Sequence, residues 1–176
     1  MSASCHHRAP PVSTYNRPMT WPEPVERVAA FLRAAGAESR LEELAGDAAS
    51  AQAAAEAIGC ALDQIVKSLV FVCGARPVLA LVPGDRRADP VKVGLAAGAA
   101  ETRVARPSEV LAATGYAPGA VGPFPPPAGM QILVERTILS CAVVWVGAGS
   151  ERHMAMVAPA ELVRLTSGTT VDLVQE

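Results

Sequence analysis

The chain has 176 residues, 51% of them hydrophobic and 18% charged, with a formal net charge of −2. That balance describes a globular domain with one well-formed core rather than a disordered chain. A slightly negative charge argues against wholesale electrostatic capture of duplex DNA or of an anionic membrane, though not against a local basic cleft.

Residues 1–20, rich in Pro, Ser, His and Arg, read as a flexible N-terminal extension, and residues 21–176 as a single domain. Within the extension, Cys5 and His6-His7 read as a polar tail rather than a metal site. The N-terminus lacks the apolar stretch of a secretory signal, and the weakly polar run Thr137 to Gly149 is too short to span a bilayer. Four cysteines (Cys5, Cys60, Cys73 and Cys141) lie far apart with no paired spacing, which points to buried thiols in a reducing cytoplasm.

From Trp21 the signals become regular. Pro22 to Ala35 predicts a helix with Thr20 as N-cap, Val25, Val28, Ala29 and Leu32 on one stripe, and Gly36 as its stop. A short strand over Ser39 to Leu44 follows, then an alanine-rich helix over Ala48 to Ile58 with Asp47 as N-cap and Gly59 as stop. Gln64 to Cys73 and Pro77 to Val82 are apolar runs joined by Gly74-Ala75-Arg76, a β-hairpin signal. Asp89 caps a helix that begins at Pro90 and runs to about Ala97. A strand near Thr102 to Ala105, a helix over Pro107 to Ala113 capped through Arg106-Pro107-Ser108, and a Gly/Pro loop over Gly115 to Pro127 come next. Strands near Met130 to Glu135, Ala142 to Val146 and His153 to Val157, a helix over Pro159 to Leu165 and a strand over Thr170 to Val174 complete the chain. Strands mixed irregularly with helices suggest an α+β fold, or a mixed sheet with helices packed outside.

Arginine supplies thirteen of the fifteen Lys and Arg side chains, and lysine only two. One of the two, Lys67, sits inside the apolar run Ile65-Val66-Lys67-Ser68-Leu69-Val70-Phe71-Val72. In a strand, Ile65, Lys67, Leu69 and Phe71 share a face. An ammonium on an apolar face is costly unless it is paired or faces a cleft, so Lys67 is the first residue to suspect of function. The alternatives are a lysine snorkelling from an edge strand and a structural ion pair.

Two glycine-bearing loops carry the next signals. In Gly119-Ala120-Val121-Gly122-Pro123, glycines permit close backbone approach and the flanking Pro118 and Pro123 stiffen the loop, so that free N–H groups can hold an oxyanion, a carboxylate or a phosphate. Gly147-Ala148-Gly149-Ser150 lies between two predicted strands, so it does not open a dinucleotide-binding helix. No GxSxG elbow, HExxH or paired Cys/His spacing occurs. His153 suits a base or substrate contact, although a structural role is the commoner one for such a residue. Ser68 and Ser150 have no evident base nearby in sequence, so catalysis is expected to survive their replacement and to depend only modestly on His153.

The ordered segments resemble the YbaK/prolyl-tRNA synthetase-associated editing domain family. Ile65-Val66-Lys67-Ser68-Leu69-Val70-Phe71 is similar to its I-V-K-T-L-V-F strand, and Asp89-Pro90-Val91-Lys92-Val93 with Ala97-Gly98-Ala99 to its D-x-x-K helix. Pro107-Ser108-Glu109-Val110 with Thr114-Gly115-Tyr116 resembles its P-E-E-V … T-G-Y segment. Gly119 to Pro123 matches the G-x-x-x-P loop, and Val146-Gly147-Ala148-Gly149 with Pro159-Ala160-Glu161-Leu162 the closing G-x-G … P-x-(D/E)-L. The likeness runs in order over about residues 22 to 175.

The resemblance implies a mixed β-sheet curved toward a barrel and surrounded by helices. It further implies a trans-acting aminoacyl-tRNA deacylase that hydrolyses the ester of a mischarged amino acid, with Lys67 required for activity. The implied substrate-binding residues are Gly119, Ala120, Val121, Gly122, Pro123, Gly147, Gly149, Ser150 and His153. No cofactor or metal is implied; the expected partners are the acceptor end of aminoacyl-tRNA and prolyl-tRNA synthetase, with neither membrane nor DNA. Two departures bear on the substrate: Gly122 stands where a serine is common, and Glu151 at the turn is the only acid near the position some cysteine-clearing members use. Cysteinyl-tRNA(Pro) leads as substrate, with alanyl or another small residue close behind. The rival readings are a non-catalytic binding module for a tRNA acceptor end, nucleotide or protein partner, and a hydrolase of another small ester.

Overall fold

The run from Val66 to Pro83 folds back on itself at Gly74-Ala75, and this hairpin is the centre of the molecule. Two eight-residue strands, β2 (Val66–Cys73) and β3 (Arg76–Pro83), pair antiparallel with Cys73 opposite Arg76. Gly74 takes φ +62°, the left-handed conformation that a two-residue turn requires. In chain order the other elements are α1 (Glu23–Ala34), β1 (Arg40–Glu43), α2 (Ala51–Ile58), α3 (Pro90–Ala97), β4 (Thr102–Val104), α4 (Pro107–Thr114), β5 (Gln131–Glu135), β6 (Val144–Gly147), β7 (His153–Val157), α5 (Pro159–Thr166) and β8 (Thr169–Val171). This computed structural model describes residues 20–46 and 48–176; the N-terminal extension with Cys5 and His6-His7, and the proposed Asp47 cap, lie outside the described residues.

The strands form two sheets, one ordered β4-β2-β3-β5-β8 and one ordered β1-β7-β6. The larger is mixed, because β3 pairs antiparallel with β2 and parallel with β5. The fold is therefore α+β with a mixed sheet, as expected, and the strands lie in two sheets that do not close into a barrel. A parallel bridge, Ile65 to Trp145, joins them, and Val66 and Val70 share a core with Val144 and Val146.

Val78 to Pro83 is buried throughout, which fits a central strand covered on both faces. Alternation along β2 sends Val66 and Val70 into one core with Val28, Leu32, Leu79 and Leu162, and Phe71 and Cys73 into another with Val78, Val93 and Leu173. A third cluster joins Ala54 and Ala55 of α2 to Ile65, Trp145 and Met154, which docks α2 on the smaller sheet.

Local signals placed most elements, and the differences are at their ends. Helix α1 is entered through Pro22 without a side-chain cap rather than through Thr20, and the Glu26 carboxylate instead accepts the Trp21 N–H at 3.2 Å. Helix α2 begins at Ala51 because Ser50 is its cap, its Oγ accepting from Ala53 N at 3.1 Å. Strand β8 stops at Val171 because the next residues leave the ladder for other partners: Asp172 accepts from Lys92 Nζ at 2.9 Å, and Leu173 N–H donates to the buried Glu135 carboxylate at 2.5 Å.

Candidate active site

Strand β4 pairs with only Phe71–Cys73 of β2, and the bridge to the smaller sheet lies at Ile65. The outer edge of β2 between these points carries no strand, and there a cleft of about 380 Å³ opens. Its floor is Ile65, Val66, Lys67, Ser68 and Leu69; Leu44, Ser50, Ala51 and Ala54 form one wall, and Pro118, Gly119 and Val121 another. Gly147, Ser150, Glu151, His153 and Met154 close it from the β6–β7 hairpin.

Lys67 is half-buried in this cleft. Its ammonium donates to the Arg86 carbonyl oxygen at 2.5 Å and has no carboxylate partner among the described residues, in contrast to Lys92, which pairs with Asp172 at 2.9 Å. Burial pushes the Lys67 amine below its ordinary pKa, partly offset by Asp85 and reinforced by Arg87. An ammonium held by one backbone carbonyl keeps donors free for an anionic or carbonyl oxygen. Next to it in sequence, the Ser68 Oγ is buried without a hydrogen-bond partner among the described residues.

Of the sequence-derived residues, Lys67, Gly119, Val121, Gly147, Ser150 and His153 meet at the cleft, whereas Ala120, Gly122, Pro123 and Gly149 do not line it. The reasons are steric. A Cβ on Gly122 would lie 2.1 Å from the Gly147 carbonyl oxygen, so this glycine seats the loop on β6 instead of facing a ligand. Gly149, at φ +95°, turns its Cα toward the Pro24 carbonyl, 2.7 Å from where a Cβ would stand. Pro123 is buried beneath the loop, and Ala120 ends its short 3₁₀ turn. The wall from α2 was not anticipated as a site feature; Glu151, noted in the sequence for its place after the glycine turn, reaches the cleft, its Oε1 standing 2.6 Å from where a Cβ on Gly119 would lie.

Ser150 does have a base beside it: its Oγ lies 2.5 Å from His153 Nδ1. The i, i+3 spacing across the turn was the available signal. His153 is 5% exposed, and the Trp21 ring meets it edge-on at 5.2 Å between centroids. Burial lowers the imidazole pKa, with Glu43 opposing and Arg152 adding to the shift. The thiols of Cys60 and Cys141 are pushed up by burial, which keeps them protonated and poorly nucleophilic at neutral pH. Among the described residues no group of three or more metal-binding side chains occurs, and no helix is long and apolar enough to cross a membrane.

A family model described as the aminoacyl-tRNA editing domain matches residues 45–165. A solved protein described as a candidate trans-editing enzyme for prolyl tRNA synthetase superposes with a TM-score of 0.82 at 32% identity, covering 89% of this chain and 100% of that one. The proline–tRNA ligase of Ralstonia nicotianae is 33% identical over 127 residues, and that of Acidithiobacillus ferrooxidans 30% identical over 124. These alignments take in 69% and 65% of this chain but only 22% of each ligase, so the chain spans about a fifth of the length of those relatives. On the family match, together with the hairpin, cleft lysine and Gly119–Pro123 loop arranged as above, the chain belongs to the aminoacyl-tRNA editing domain family, the YbaK/prolyl-tRNA synthetase-associated group.

Proposed function

We propose that this protein is a trans-acting aminoacyl-tRNA deacylase that removes a small, wrongly attached amino acid from tRNA, with cysteinyl-tRNA(Pro) as leading substrate and alanyl-tRNA close behind. The observation that carries the reading is Lys67, a half-buried ammonium with no carboxylate partner among the described residues, set in a small cleft beside the Gly119 loop. A volume of about 380 Å³ is near the lower end for ligand sites and suits a small aminoacyl group with its ribose.

In this reading the Lys67 ammonium and loop N–H groups stabilise the negative charge that develops on the ester carbonyl oxygen. Water attacks the carbonyl carbon and releases the free amino acid, or the thiol of a cysteinyl substrate attacks and releases a cyclic thioester that water then opens; in either route the bond to the ribose oxygen breaks, and that oxygen takes up a proton. Gly122 and Gly149 act by seating the two loops, not by touching substrate. Prolyl-tRNA synthetase is the proposed source of the mischarged tRNA, and the cytoplasm the proposed setting.

The test is a deacylation panel of cysteinyl-, alanyl- and seryl-tRNA(Pro). Clearance of at least one at enzyme-dependent rates is expected. Binding of the acceptor end without clearance of any would replace the enzyme with a non-catalytic binding module.

A further inference from the structure

Between β6 and β7 the chain turns through Ala148 to Arg152, and this turn is closed by contacts that converge on one side chain. The Ser150 Oγ accepts the Arg152 backbone N–H at 3.1 Å and lies 2.5 Å from His153 Nδ1. The hydroxyl proton has no other acceptor among the described residues. With the Oγ already accepting from Arg152, donation of its own proton to Nδ1 satisfies all three groups at once. If Nδ1 carried the proton instead, the serine would receive two donors and its hydroxyl hydrogen would have no partner. The ring is also clamped edge-on by Trp21 at 5.2 Å. Its other nitrogen, Nε2, has no hydrogen-bond partner among the described residues, and His153 borders the Lys67 cleft.

We propose that Ser150 is a positioning residue: it holds His153 as the Nε2–H tautomer, so that the imidazole offers the cleft a neutral hydrogen-bond donor for an oxygen of the bound aminoacyl ester. This rests on the deacylase reading for the identity of the ligand, but the tautomer itself does not. Burial favours the uncharged imidazole, in keeping with an accepting Nδ1. The charged groups near the ring are Glu43, opposite His153 on β1, Arg152 before it, and Glu151 and Lys67 at the cleft. Ser150 thus acts through His153, and neither side chain serves as a nucleophile.

The experiment compares wild type, Ser150→Ala and Ser150→Thr, with His153→Gln used to assign the His153 resonances. In the free protein, imidazole 15N NMR is expected to report Nε2–H in wild type and in Ser150→Thr, and a tautomer mixture in Ser150→Ala. Losing a donor to the neutral ring raises the imidazole pKa. Deacylation by Ser150→Ala should therefore fall about tenfold at pH 6 and less at pH 8, with Ser150→Thr close to wild type. An unchanged tautomer in Ser150→Ala would overturn the proposal whatever the protein hydrolyses. So would a pH-independent loss of activity, which would make Ser150 a direct substrate contact, or an acyl group trapped on its Oγ. An intact tautomer effect in a protein that clears no aminoacyl-tRNA would leave the positioning role standing and remove only the deacylase reading.

Discussion

Gly122 and Gly147 meet backbone to backbone: a Cβ on Gly122 would stand 2.1 Å from the Gly147 carbonyl oxygen, and one on Gly147 would stand 2.7 Å from that of Val121. This contact seats the Gly119–Pro123 loop on the end of β6, at the wall of the cleft. Neither neighbour is a flexible side chain tip, so neither can give way cheaply. Gly122→Ala is expected to lower stability by about 1–3 kcal/mol, as overpacking in a tight contact does, and to weaken substrate binding by displacing the loop. Thermal unfolding and the KM for deacylation check this; wild-type values for both would mean that the loop is not seated there.

Lys67 sets function against stability. Burial disfavours its charged form, and among the described residues its ammonium donates only to the Arg86 carbonyl. Lys67→Met should keep or raise the melting temperature while deacylation drops about a hundredfold, equivalent to about 3 kcal/mol of lost transition-state stabilisation. Because the folded-state pKa is depressed for a base, wild-type stability should rise as pH climbs through that lowered value toward the ordinary lysine range, and the variant should lack this rise. A substantial loss of stability in Lys67→Met would make the lysine a structural residue.

His153 predicts the acid limb of stability. Its folded-state pKa lies below the unfolded value of about 6.5, so the unfolded chain binds more protons in that window. Its contribution is present above about pH 6.5 and is lost as pH falls through the lowered folded value. Denaturant unfolding from pH 8 to pH 5 should show a steeper decline for wild type than for His153→Gln. Parallel curves would mean that the imidazole titrates as if exposed.

The cysteines should be dispensable to the chemistry. Cys60→Ser and Cys141→Ser are expected to retain deacylation, because burial keeps both thiols protonated. Cys73→Ala should cost stability without changing the mechanism, since Cys73 is 1% exposed in the core with Phe71. If the substrate's own thiol attacks, cysteinyl-tRNA should be cleared much faster than seryl-tRNA, whose hydroxyl is the weaker nucleophile at neutral pH. Equal rates would point to an enzyme-held water.

Short-range chemistry made much of the protein legible in its residues. The Asp89-capped helix runs from Pro90 to Ala97 as its cap, proline and glycine stop require, and β7 spans His153 to Val157 as its apolar run does. The Gly74-Ala75 turn specified the hairpin, and a lysine among apolar neighbours marked Lys67. These signals act over a few residues, so they survive being read along a line. What only the tertiary structure decided depends on groups far apart in the chain. Gly149 and Pro24, or Gly122 and Gly147, are adjacent only after the sheets form, which is why two glycines expected to face a ligand face backbone instead. The α2 wall of the cleft has the same origin, since Ala54 and Ala55 pack against Ile65, Trp145 and Met154. The Ser150–His153 contact is local in sequence, but its meaning is not: burial beneath Trp21 and the opening of the cleft decide which nitrogen of the ring is left to act.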